Sequence, residues 1–83
     1  MRTQHIKVEA GDERVQLVVD DYELFDFLDD FVSQNALDHE YTSVEERNGV
    51  MHFPRGTAIR RVSEVLARVP EDDVQRIWSM NNA

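Results

Sequence analysis

With 83 residues, the chain has the length of one small domain spanning residues 1–83, and its core is expected to be thin. It has no cysteine, which excludes disulfides, thiolate metal sites and a cysteine nucleophile, and favours a reducing, cytoplasmic setting. Its net charge of −8 lies entirely in residues 1–41, which carry eleven acids and three basic side chains. That acidity counts against direct nucleic-acid binding, and apolar runs of at most three residues predict no membrane span.

The first predicted element is a β-hairpin. Apolar and polar side chains alternate from Gln4 to Ala10 and again from Arg14 to Val19. This period of two is typical of half-buried strands. Gly11–Asp12 lies between the two runs and is predicted to form the turn.

A helix is predicted over residues 20–34. Asp20 is the expected N-terminal cap, with Glu23 three residues later as in an acidic capping box. Leu24, Leu28 and Phe31 recur at helical spacing and predict the buried side. The opposite side is acidic.

The next predicted element is a second hairpin, formed by Tyr41–Arg47 and Val50–Arg55. Asn48–Gly49 lies between the two strands and favours a two-residue type I′ turn. This register places Glu45 opposite His52. The core face of the hairpin then carries three apolar side chains, which are Val44, Met51 and Phe53.

A second helix follows, with Thr57 as its expected cap and Pro70 as its stop. Residues 71–80 fit a short helix or a strand, and we favour the helix. The predicted fold is therefore α+β, in the order ββαββα plus this C-terminal element. Its sheet is four-stranded and mainly antiparallel, with the two long helices on one face.

The acidic side of the first helix is the sharpest functional signal. Six acids belong to it or directly precede it: Asp20, Asp21, Glu23, Asp26, Asp29 and Asp30. A negative surface on a rigid element can occupy a basic site on a partner protein, such as a nuclease or nucleic-acid-binding protein. Immunity proteins, antitoxins and anti-defence inhibitors work in this way. The plainer interpretation is a solvated face that keeps a small protein in solution.

A weaker signal is the arginine group that begins the second helix. Arg55, Arg60 and Arg61 flank a helix N-terminus, where backbone N–H groups and guanidinium groups can hold an anion or a nucleic-acid phosphate. An ordinary strand-to-helix junction with surface arginines explains the same residues.

Catalytic and cofactor patterns are absent from the sequence. It contains no nucleophile elbow, phosphate loop or dinucleotide fingerprint, and Asp38–His39–Glu40 has no metal-ligand spacing. We therefore predict a binding protein without metal or cofactor and not an enzyme. The alternative function is a self-associating accessory domain that forms a homodimer.

Overall fold

A computed structural model describes residues 5–11, 14–46 and 48–82. The predicted strand start at Gln4, the turn residue Asp12 and the strand end at Arg47 lie outside these ranges. Within them the strands form an antiparallel sheet in the order β1-β2-β4-β3. The elements along the chain are β1 (Ile6–Ala10), β2 (Val15–Val19), α1 (Tyr22–Gln34), β3 (Tyr41–Glu45), β4 (Asn48–His52), α2 (Ile59–Leu66) and α3 (Glu71–Asn82). The predicted α+β class and element order are confirmed.

One face of the sheet carries the hydrophobic core. Leu17 of β2 pairs with Met51 of β4, and both side chains are fully buried. α1 contacts β2 and β4, whereas α2 contacts β1. Both helices join one cluster with the strands, so they lie on the same face, as predicted. Their buried side chains are Leu24, Leu28, Val32, Val62, Val65 and Leu66, and each contributes about 1.5–3 kcal/mol by leaving water.

The C-terminal element is a helix, which settles the choice between helix and strand. The N–H groups of Asp73 and Val74 both donate to the carbonyl of Pro70, at 3.1 and 3.3 Å. Val74 is buried in the core and Ile77 packs against it. A helix directs both side chains toward the core, whereas a strand would separate them onto opposite faces.

The turn of the second hairpin lies two residues before the predicted position, so the predicted register was wrong. Glu45 pairs with Asn48, so the turn lies between these two residues, and Glu46 in it adopts a φ of 55°. Gly49 lies inside β4. Its role is close packing, because a Cβ at this position would lie 2.5 Å from Cδ1 of Phe25 on α1.

The change of register leaves the faces of the hairpin unaltered, because the turn moved by an even number of residues. Met51 and Phe53 lie in the core, as predicted. Val44 shares their face but is 66% exposed, because β3 lies at the sheet edge while α1 covers β2 and β4. His52 pairs with Tyr41 and not with Glu45, on the face opposite the helices, here called the open face.

Both predicted helix caps are one residue from the observed ones. Asp21 caps α1 through its side chain, which accepts a hydrogen bond from the N–H of Leu24 at 2.9 Å. Ala58 occupies the cap position of α2 without a side-chain bond. Thr57 instead closes a turn, because its N–H donates to the carbonyl of Pro54 at 3.1 Å.

Candidate protein-binding face on the first helix

The acids of α1 are arranged by the helical period. Leu24, Leu28 and Val32 turn inward and are fully buried. Glu23, Asp26 and Asp30 are exposed and lie three or four residues apart, within an arc of about 60° around the helix axis. We call these three residues the acid row.

Asp20, by contrast, is held by the fold. Its Oδ1 accepts a hydrogen bond from Nε1 of Trp78 at 3.1 Å, and its Oδ2 lies 3.3 Å from Nδ1 of His5. The rings of His5 and Trp78 stack with their centroids 4.0 Å apart. Asp20 therefore joins α3 to the chain beside β1.

Two further acids also have partners inside the molecule. Asp21 is the cap of α1. Asp29 places its Oδ1 3.4 Å from Nδ1 of His39, in the segment that leads into β3. We call Asp20, Asp21 and Asp29 the anchored acids. Three of the six predicted site residues thus contact other parts of the fold.

The acid row has no such partner among the described residues. No ion pair or side-chain hydrogen bond within them involves Glu23, Asp26 or Asp30, and α1 itself contains no basic residue. Three carboxylates on successive turns create a negative potential that extends about 8 Å into physiological salt before it is screened. The arrangement suits attraction of a positively charged surface.

A shallow cleft lies beside the acid row. Glu23 of α1 and three residues of α3 line it, namely Arg76, Ile77 and Met80, and its volume is about 280 Å³. Met80 is 75% exposed. Arg76 lies 3.2 Å from Oδ1 of Asp73, so its charge is compensated within α3.

The predicted arginine group is divided by the fold. Arg61 donates from Nη2 to the carbonyl of Asn35 at 3.1 Å, and Arg68 donates from Nη1 to the Asn35 side chain, also at 3.1 Å. Asn35 is the C-terminal cap of α1, where a positive charge is favourable. Arg55 and Arg60 are exposed. Arg61 thus helps to hold α1 against α2.

The open face carries a polar cluster that the sequence did not reveal. The rings of Tyr41 and His52 stack 4.2 Å apart, and the guanidinium of Arg14 lies 5.5 Å from the Tyr41 centroid. Nε2 of His52 lies 2.8 Å from Oγ of Ser43. The period-two alternation assigns residues to one face of the sheet. Only the observed register brings these side chains together. A cleft of about 270 Å³ on the same face is lined by both signs of charge, including Lys7 and Glu9.

The described ranges contain neither a metal-binding cluster nor a membrane-spanning helix. No group of three or more histidine, aspartate or glutamate side chains there could hold a metal ion. None of the helices in that part of the chain has the length and apolar character needed to cross a bilayer. Comparisons with protein-family models, curated proteins and solved structures give no match.

Proposed function

We propose that the chain is a small acidic protein-binding module that inhibits or neutralises a partner by presenting the acid row to a basic site. Immunity, antitoxin and anti-defence proteins are the functional classes in which such a module belongs. The observation that supports this proposal is the exposure of Glu23, Asp26 and Asp30, which have no partner among the described side chains, on a helix fixed by its buried side.

The charges of the acid row also favour a protein partner. Like charges at i, i+3 and i, i+4 repel each other by a few tenths of a kcal/mol, so the acid row costs the folded chain a little stability. A basic surface on a partner removes this repulsion and gains rapid, salt-dependent association. Nuclease and nucleic-acid-binding sites are basic because they attract negatively charged phosphates. The carboxylates of the acid row would be attracted to such sites in the same way.

The proposal is tested by affinity capture from a lysate of the source organism, with mass spectrometry of the retained proteins. Three baits are compared: wild type, Asp26→Lys/Asp30→Lys, and a matched control, Glu9→Lys/Asp38→Lys, which alters the net charge equally at exposed sites outside the acid row. A basic protein held by wild type and control but lost by the acid-row variant supports the proposal. Equal retention by all three baits contradicts it.

A second candidate function is self-association, and the free side of β3 favours it. Glu40 N–H donates to the carbonyl of His52, and Phe53 N–H donates to that of Val15, so the backbone of His52 faces β3. The alternation of antiparallel pairs then turns the backbone groups of Thr42 and Val44 away from β4, toward solvent. Wild type would form a dimer that Val44→Lys disrupts, and light scattering showing a monomer at high micromolar concentration would remove this candidate.

A further inference from the structure

The cleft between α1 and α3 is continuous with the acid row, since Glu23 belongs to both. α3 packs against α1 and presents Arg76, Ile77 and Met80 at the i, i+1 and i+4 positions of one helical side. Asp26 and Asp30 follow Glu23 along α1 at one and two turns. A shallow depression with two apolar lining residues, Ile77 and Met80, thus lies at one end of a line of negative charge.

Apolar surface in this cleft is available to a partner. The Met80 side chain is 75% exposed, whereas Ile77 is half-buried and packs on the core, giving the depression a fixed floor. Methionine is flexible and polarizable, so it adapts its shape to an inserted side chain. Fully desolvated apolar pockets surrounded by polar residues supply most of the binding free energy in protein interfaces.

Charge complementarity identifies the kind of partner. The acidic residue of the cleft wall, Glu23, has no partner among the described side chains, whereas the basic one, Arg76, is paired with Asp73 at 3.2 Å. The rim is therefore negative toward an incoming group. Three acids on one face of α1, at helical spacing, match basic side chains repeated at the same spacing on another helix.

We propose that the cleft binds one apolar side chain of a basic amphipathic helix, whose lysines or arginines face the acid row. This inference rests on the proposed function and adds the chemistry of the partner. The acid row governs association, because long-range attraction raises the on-rate. The cleft governs residence time, because contacts made after docking act mainly on the off-rate.

The test uses two synthetic helical peptides that share a row of lysines and differ at one position, leucine in one and serine in the other. Their dissociation constants are measured against wild type, Met80→Ser and a control, Ile59→Ser, which removes an exposed apolar side chain from α2. We expect the leucine peptide to bind wild type and the control about tenfold more tightly than the serine peptide, from the apolar area buried. Met80→Ser should abolish this difference, and urea unfolding checks that the variant is folded.

The outcomes separate the inference from the proposed function. Equal binding of both peptides to wild type, or a leucine advantage that persists in Met80→Ser, overturns the cleft inference. If the Asp26→Lys/Asp30→Lys variant then binds neither peptide, the acid row is still the binding surface. The proposed function is kept and only the cleft inference is lost. Failure of both peptides to bind wild type at low salt contradicts the acid row as a binding surface, and the cleft inference with it.

Discussion

The acid row and the anchored acids belong to the same stretch of chain but have different roles in the fold. Asp20, Asp21 and Asp29 each lie within 3.4 Å of an atom that they help to hold, in His5, Trp78, Leu24 or His39. Glu23, Asp26 and Asp30 have no internal partner among the described residues. Composition alone cannot separate the two sets.

Substitution of an anchored acid should therefore affect stability, and substitution of an acid of the row should affect binding. Removing Asp20 or Asp21 takes the acceptor from a hydrogen bond, and removing Asp29 takes away the carboxylate beside His39, so each change lowers the free energy of unfolding. Removing an acid of the row breaks no contact among the described residues and relieves repulsion, so its effect should be confined to binding. Substitutions in the two sets of acids should therefore differ in their effect on the free energy of unfolding.

Asp20→Ala should have the largest effect, about 1–2 kcal/mol, because Nε1 of Trp78 and the ring of His5 both lose their carboxylate partner. Urea unfolding followed by fluorescence of the single tryptophan measures it. Asp20→Asn keeps an acceptor for Trp78 and should recover part of the loss. If Asp20→Ala is as stable as wild type, Asp20 does not stabilise the fold and belongs with the acid row.

Asp21→Ala should lower stability by about 1 kcal/mol, the usual cost of losing a side-chain N-cap. Urea unfolding monitored by circular dichroism at the helical wavelength is the measurement. Asp21→Ser retains a capping oxygen and should remain close to wild type. If serine and alanine destabilise equally, the hydrogen bond to Leu24 is not what Asp21 contributes.

Asp26→Ala/Asp30→Ala should change stability by less than about 0.5 kcal/mol, with a small increase expected at low salt as the like charges are removed. The same unfolding experiment at two salt concentrations checks the sign. A clear loss of stability would show that the acid row has a structural partner. The distinction between the acid row and the anchored acids would then be wrong.

Much of the fold follows from periodicity along the chain. The repeats at 24, 28 and 31 and at 62, 65 and 66 predict α1 and α2, and the alternation predicts the strands. The register of β3 and β4 could not be predicted, because Asn48–Gly49 is a strong local turn signal that tertiary packing overrides. The glycine is needed where the Phe25 ring meets β4.

The sequence predicted the six acids of the candidate site, but not their division into the acid row and the anchored acids. Asp20 and Asp21 are adjacent acids of equal capping propensity, and the choice between them depends on Trp78, 58 residues away in sequence. Arg61 had the same ambiguity, since its partner is the C-terminal cap of another helix. Met80 gave no sequence signal, because the cleft exists only when α3 packs on α1.

The binding role of the acid row is tested by titrating the captured partner with wild type, Asp26→Lys/Asp30→Lys and Glu9→Lys/Asp38→Lys, with unfolding curves for all three. We expect the acid-row variant to lose at least about 100-fold in affinity, through two charge reversals worth about 1.4 kcal/mol or more each. The control should stay within about threefold of wild type, since its reversed charges lie outside the acid row and are screened by salt. Equal affinity of wild type and the acid-row variant, or an equal loss in the control, would contradict the claim that the acid row is the binding surface.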